Sequence, residues 1–328
     1  MADKIRWGIM ATGNITHKMV EGLGVLPDAK VIAVGSRSAE SANAYADKYN
    51  IPHRHATYEA LCADPEVDVI YVAPPHSGHK DGTILALNAG KAVLCEKPFA
   101  INRAEAETMV ALAREKKLFL MEAMWTRFLP TVVRVRQWLK EGRIGAPQMV
   151  WADFGFRAEY AEESRLFDPA FGGGGLLDVG IYAVSFAAMV FGAAPNRVAA
   201  MAEIGPTGVD DMNGAVLGFP GGGLALVSGA VRAETQQEAR IIGTRGKIHL
   251  PVPFWCGTRV VLEVEGSEPE TFDLPYDGNG YNCEAREVMD CLRAGKLESD
   301  VMPLDESLAL MGTLDEMRRQ WGVKYPME

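Results

Sequence analysis

Cysteine is scarce in this sequence. The five present (Cys62, Cys95, Cys256, Cys283, Cys291) are scattered, odd in number, and form no Cys-x-x-Cys pair. A disulfide scaffold is thereby excluded, and free thiols in a reducing cytoplasm are expected. Basic charge is also short: 33 Lys and Arg stand against 43 Asp and Glu, a net charge of −10. That sign argues against nucleic acid or an anionic membrane as partner. No apolar run reaches the length of a membrane span, and Met1-Ala2-Asp3-Lys4-Ile5-Arg6-Trp7 lacks the apolar core of a signal peptide. Of the six histidines, only His53-x-His55 and His76-x-x-His79 are close pairs, and neither is joined by a nearby cysteine or acid cluster of ligand spacing. No metal centre is expected. What is present, 48% apolar and 23% charged residues over 328, suffices for two domains with full cores.

Strands and helices alternate through residue 122, which predicts a parallel, doubly wound sheet in a dinucleotide-binding domain spanning 1–122. Ile5–Met10 reads as its first strand, followed by the turn Ala11-Thr12-Gly13-Asn14-Ile15 and a helix whose N-terminus would receive a pyrophosphate. The G-x-G-x-x-G fingerprint is degraded, with Ala11 for the first glycine and Thr16 for the third, so only Gly13 survives. The second strand ends in Ser36-Arg37-Ser38, where an NAD-specific fold carries an acid for the ribose hydroxyl. A serine and an arginine there suit a 2′-phosphate, which predicts NADP(H). Ser38 also reads as the N-cap of a helix over Ala39–Tyr49.

On the same ligand edge lies the loop Ala73-Pro74-Pro75-His76-Ser77-Gly78-His79. Its Pro74, His76 and His79 are either cofactor or substrate contacts or a helix start with exposed histidines. The stretch around which the chain is organised follows: Ala92-Val93-Leu94-Cys95-Glu96-Lys97-Pro98, a buried strand stopped by proline. Glu96 and Lys97 fall at the carboxyl end of that strand, where open α/β sheets bind ligands. Lys97 is therefore a candidate reactive group, the alternative being a surface lysine in a turn.

Beyond residue 122 the rhythm changes. Period-2 stretches at Gln148–Phe156, 198–203, 214–219, 224–231, 239–242 and 260–264 imply a large, open, mostly antiparallel sheet. Helices over 176–191, 284–294 and 304–321 would cover one face of it, giving an α+β substrate-binding and dimerisation domain over 123–328. Within it stands Gly172-Gly173-Gly174-Gly175-Leu176-Leu177-Asp178-Val179-Gly180-Ile181-Tyr182. At α-helical spacing Asp178 and Tyr182 share a face. That polar stripe either lines a cleft or is a satisfied buried pair.

Taken together, Glu96-Lys97-Pro98, the glycine-rich G-G-G-x-L-x-D-x-G-x-[H/Y] motif at 173–182 and the turn Gly243-Thr244-Arg245-Gly246 resemble the glucose-fructose oxidoreductase / inositol dehydrogenase family of NAD(P)-dependent enzymes. Within that family the chain looks most like the dihydrodiol and D-xylose dehydrogenase branch, which carries Tyr where many relatives carry His. The resemblance implies a Rossmann domain plus an open sheet through which two copies pair, NADP(H) as cofactor, and a carbohydrate or diol as substrate. It also implies that Lys97 and Tyr182 are catalytic with Asp178 nearby, and that His79, Trp125, Arg127, Phe154 and Trp255 line the substrate pocket. The family also contains sugar–sugar oxidoreductases that retain their cofactor and a non-catalytic, cofactor-sensing regulator, which are the alternatives.

Alcohol oxidation needs a base for the hydroxyl proton while hydride leaves for the nicotinamide. A tyrosine starts near a pKa of ~10 and must come down by roughly 2 units, about 2.7 kcal/mol. An ammonium ~4 Å away supplies about 4 kcal/mol at an effective dielectric of ~20. Lysine as the base would need desolvation that a nearby carboxylate opposes. Tyr182 is thus the expected acid/base and Lys97 the charge that tunes it, with His79 next in line.

Overall fold

A computed structural model describes residues 4–328, so Met1, Ala2 and Asp3, on which the signal-peptide reading partly rests, lie outside the described residues. The chain divides into two compact units: one runs to Trp125 and takes in Asp277–Ser307, the other comprises Thr126–Tyr276 and Leu308–Glu328.

In the first unit, β1 (Ile5–Met10), α1 (Asn14–Gly24), β2 (Ala29–Gly35), α2 (Ala39–Tyr49), β3 (His53–His55) and α3 (Tyr58–Cys62) alternate. β4 (Val69–Val72), α4 (His79–Asn88), β5 (Ala92–Glu96), α5 (Arg103–Lys116) and β6 (Leu120–Ala123) continue the pattern. All strand pairs are parallel and the order is β3-β2-β1-β4-β5-β6, the doubly wound arrangement with its switch between β1 and β4. β4, β5 and β6 are buried along their whole length, as strands covered on both faces must be. The helix starts follow local chemistry: Ser38, Thr57 and Asn102 side chains accept the N–H groups of Ser41, Ala60 and Glu105 at 3.2, 3.1 and 2.9 Å.

The second unit begins with α6 (Pro130–Lys140) and β7 (Pro147–Gly155), then a π-helical turn at Leu176–Gly180 that runs into α7 (Ile181–Phe191). β8 (Arg197–Ile204), β9 (Asp210–Gly218), β10 (Leu224–Ala230), β11 (Ala239–Gly243), β12 (Gly246–Leu250), β13 (Arg259–Val264) and β14 (Glu270–Asp273) complete one eight-stranded sheet, ordered β14-β13-β12-β11-β7-β10-β9-β8. Every pair is antiparallel except β7 with β10 at the centre. β12 and β14 were not anticipated from the sequence. α7 packs on β7 and β10 and is buried nearly all round. It is a core helix, and the polar stripe expected along it is not there. The helical stretch Pro169–Phe191 is long and apolar enough to cross a membrane, but 89% of its apolar window is buried inside the protein.

The chain then supplies α8 (Tyr281–Arg293) to the first unit, where it packs on α1, although its place in the sequence had suggested a helix of the second unit. A Cβ on Gly22 of α1 would meet the Asn282 backbone nitrogen at 2.9 Å, which is how closely the two helices approach. α9 (Leu304–Trp321) starts in the first unit and ends in the second. There its Gln320 side chain accepts from Ala200 N–H at 2.8 Å and donates to Val198 O at 2.9 Å, occupying backbone groups of the edge strand β8.

Candidate active site

In the first unit, the turn between β1 and α1 is only Ala11, Thr12 and Gly13. Ala11 takes φ +87°, the left-handed region, and its N–H donates to Gly35 O at 2.9 Å. The backbone of the missing glycine is therefore kept although an alanine occupies it. A Cβ on Gly13, the residue before α1, would meet nothing within 4 Å. Packing of the protein does not demand a glycine there; open space before a helix N-terminus fits the close approach of a pyrophosphate. Buried Thr16 ties the turn down through Oγ1, which donates to Gly13 O at 2.7 Å. Arg37 is exposed after β2 and makes no ion pair among the described residues, so its guanidinium is available to an anion. Thr12, Asn14 and Ile15 fall in the same turn and first helical residues.

At the carboxyl end of β5, Glu96 accepts the Tyr71 hydroxyl through Oε1 and the Lys97 N–H at 3.1 Å through Oε2. Lys97–Pro98 is a cis peptide bond. Glu122 holds the far side of this loop, accepting Phe99 N–H at 3.1 Å and the Ser307 hydroxyl at 2.7 Å. His79 departs from expectation. It is 1% exposed, with Nδ1 at 2.7 Å from Pro98 O and Nε2 at 3.1 Å from Pro74 O. Both ring nitrogens face backbone carbonyls, so the ring braces the Lys97–Pro98 turn and offers neither nitrogen to a substrate. Burial lowers its pKa to about 4 despite those two bonds, with the Lys97 ammonium adding to the fall. His76 lies beside it, ring centroids 5.7 Å apart. Glu284 of α8 is fully buried, with neither carboxylate oxygen hydrogen-bonded among the described residues. Burial, and then the charge of Glu96, push its carboxyl well above the usual range. Trp125 stacks on Tyr281 at 4.5 Å.

In the second unit, Tyr182, Phe154 and Trp255 gather. Phe154 stacks on Trp255 at 4.5 Å and 8°, and meets the Tyr182 ring edge-on at 5.4 Å. The Trp255 loop is fixed by its carbonyl, which accepts the Thr126 hydroxyl at 2.7 Å. Asp178 pairs with Arg165 at 2.9 Å. Because 176–180 is π-helical, the α-helical spacing that put Asp178 and Tyr182 on one face does not apply. Arg127, expected in the pocket, is 2% exposed and clamps α7 instead, donating to Ser185 O at 2.8 Å and to its hydroxyl at 2.9 and 3.1 Å.

Sequence reasoning missed what holds the glycine run. Asp210, fully buried, accepts Leu176 N–H and Asn213 Nδ2 through Oδ2, both at 2.8 Å, while Oδ1 has no hydrogen-bond partner among the described residues. Gly174, at φ +114°, passes so near that a Cβ would lie 2.5 Å from that Oδ1. Burial raises the Asp210 carboxyl to about 7, against the hydrogen bonds from Asn213 and Leu176. Tyr325 completes the clasp, its hydroxyl donating to Gly173 O at 2.6 Å. The Asp210-Asp211 pair opening β9 was the available signal. The expectation that no acid joins the histidine pairs is also corrected. The fold brings Asp64 to 2.6 Å from His53 and 3.0 Å from His55.

Comparison with known proteins bears on the family and the fold. Residues 5–124 match the family described as "Oxidoreductase family, NAD-binding Rossmann fold", and residues 132–249 match the "GFO/IDH/MocA C-terminal domain". A human trans-1,2-dihydrobenzene-1,2-diol dehydrogenase is 40% identical over 332 residues, covering 99% of each chain. A 3-ketoreductase from Actinomadura kijaniata, solved with NADP and TDP-benzene, is 26% identical with a TM-score of 0.86, covering 97% of this chain and 98% of that one. An aldose-aldose oxidoreductase from Caulobacter crescentus, at 24% identity and TM-score 0.89 over 97% and 98% of the two chains, shares the fold.

Proposed function

The chain belongs to the GFO/IDH/MocA family of NAD(P)-dependent oxidoreductases acting on CH–OH donors, and we propose that it moves hydride between NADP(H) and a cyclic trans-diol or sugar. The observation that carries the substrate class is the aromatic group: a phenol, Tyr182, set edge-on to a stacked Phe154–Trp255 pair. Such rings suit the apolar face of a cyclic diol or sugar while the phenol meets its hydroxyl. The activity named for the 40% identical human relative supports the same class.

NADP(H), in preference to NAD(H), is supported by the exposed Arg37 and by Ser36 where a ribose-binding acid would stand. The open space at Gly13 and the α1 N-terminus would hold the pyrophosphate. When bound, the nicotinamide supplies the hydride acceptor; the protein's task is the proton. In this reading Tyr182 takes it from the substrate hydroxyl, and Lys97 lowers the cost of the phenolate electrostatically. Glu96, His79 and Glu122 hold the Lys97 turn, whereas Asp210, Asn213 and Tyr325 hold the glycine run before Tyr182.

We also infer a homodimer. Trp151, Leu226 and Val216 are neighbours across β7, β10 and β9, and they are 47%, 43% and 44% exposed. A contiguous apolar sheet face of this kind calls for a cover, and a second copy supplies one by symmetry. Five free cysteines, three of them buried, support a reducing compartment such as the cytoplasm.

Initial rates with NADP⁺ and NAD⁺ against trans-1,2-dihydrobenzene-1,2-diol, D-xylose, D-glucose and myo-inositol test the assignment. Turnover of the diol or xylose with preference for NADP⁺ is expected. Absence of reduced nucleotide from all four would overturn it.

A further inference from the structure

The first unit holds a second concentration of ligand-type side chains. His53 and His55 are the ends of β3, and residues two apart on a strand face the same way. The chain then turns through the short, Thr57-capped α3 and returns Asp64 over that face. The three ligand atoms (His53 Nδ1, His55 Nε2 and a carboxylate oxygen of Asp64) lie within 4.8 Å of one another. Oδ1 of Asp64 is already fixed by the Glu66 N–H at 2.9 Å, which aims Oδ2 at the imidazoles. The Asp64 side chain is 5% exposed, the two histidines 31% and 21%. A carboxylate is thus anchored in the fold beneath two imidazoles reachable from solvent.

We propose that His53, His55 and Asp64 bind one divalent transition-metal ion of the zinc class, with water in the remaining position. Two imidazoles and one carboxylate form the borderline nitrogen and oxygen set that zinc favours, whereas calcium and magnesium ask for oxygen ligands throughout. One carboxylate oxygen now lies against both imidazoles; on metal binding each ring takes the tautomer whose lone pair on that nitrogen faces the ion, its proton being carried by the other ring nitrogen. Nearby cations are committed to other partners, Arg54 to Asp47 at 2.7 Å among them. The Lys91 ammonium is held by the carbonyls of Asp64 and Val67 at 2.5 and 2.8 Å. Arg6 is paired with Asp68 at 2.7 Å, and Glu66 adds negative charge to the same turn. Among the described residues β3 pairs only with β2, and His55 O accepts the Ser36 N–H at 3.1 Å. An ion here would pin the edge strand beside the Ser36–Arg37 turn.

The test uses the full chain, stripped with chelator and titrated with ZnCl2 against a chromophoric competitor, with CoCl2 as a spectroscopic probe. One ion per chain is expected, with the visible absorption of four-coordinate cobalt. Affinity should fall more than about tenfold in His53→Gln and in His55→Gln, and stay unchanged in His249→Gln. In the unaltered protein, ZnCl2 should protect His53 and His55, but not His249, from diethyl pyrocarbonate; this readout needs no variant to fold. Equal affinity in all three variants, no stoichiometric binding, or unprotected His53 and His55 would overturn the assignment.

Discussion

Replacing Asp210 by asparagine should alter the pH dependence of stability while leaving the glycine run in place. Asparagine keeps an acceptor for Leu176 N–H and Asn213 Nδ2, both of which use the one oxygen Oδ2. What it removes is a carboxyl that burial has raised to about 7, compared with ~3.9 in an unfolded chain. The folded state binds this proton more tightly than the unfolded one. The stability it contributes is therefore complete below pH ~3.9 and is lost as pH rises through about 7. Between pH 5 and pH 8 the wild type should lose about 2–3 kcal/mol relative to Asp210→Asn. The wild-type profile alone would hide this. His79, lowered to about 4 from an ordinary ~6.5, binds its proton less tightly when folded, so it adds stability as pH climbs across that window. His79 is common to both proteins and cancels in the difference. Urea midpoints for the pair at pH 5 and pH 8 are the assay. A stability difference that is the same at both pH values would refute the buried, proton-holding role of Asp210.

The remaining expectations are brief. Ala11→Gly should stabilise the protein by about 1 kcal/mol in urea titration, because it relieves a left-handed alanine; a loss of stability would mean the methyl is needed for packing. Arg37→Ala should weaken NADPH by about 1.5–3 kcal/mol and leave NADH nearly unchanged, so equal losses by titration count against phosphate reading. Leu226→Glu, placed in the middle of the apolar row, should give a monomeric mass by light scattering at micromolar concentration; an unchanged dimer would move the interface elsewhere. Tyr182→Phe should abolish most turnover with NADPH affinity intact, Lys97→Met should lower turnover and shift the oxidation profile to higher pH, and the double variant should be scarcely worse than either. Additive losses would place the acid/base elsewhere.

The first sheet was legible because its signals are local. Buried apolar strands, N-caps at Ser38 and Asn102, and alternation with helices each act within a dozen residues. β3 was missed because three half-exposed residues, two of them histidine, carry no apolar pattern; only pairing with β2 makes them a strand. β12 and β14 are likewise only five and four residues long, and antiparallel pairing with β11 and β13 is what makes each a strand. α8 defeats any contiguous reading, since its amphipathic pattern says that one face is buried but not against what. The close approach of Gly22 to Asn282 decides that, and it joins residues about 260 apart.

For the site, residue types were legible and their supports were not. Lys97, Tyr182 and Asp178 stand out because they are titratable groups beside a proline- or glycine-marked turn. His79 and Arg127 stand out equally, yet each spends its hydrogen bonds on backbone or neighbouring hydroxyl groups, a use that the sequence presents identically. The Asp178–Tyr182 spacing failed for a physical cause. A Cβ on Gly229 would lie 2.6 Å from Gly180 Cα, so the turn before α7 rests backbone on backbone against β10. Gly180 also faces the Asn213 side chain that bonds Asp210. The π turn is thus clamped by main chain on one side and by the Asp210 network on the other, and α7 leaves it in a fixed direction with Tyr182 as its second residue. In the proposed reading, a phenol that meets a substrate hydroxyl at hydrogen-bond distance gains more from a rigid seat than from a neighbour on its own helix face. That is why the four glycines and the buried acid, and not the Asp-x-x-x-Tyr spacing, are the part of the motif that positions Tyr182.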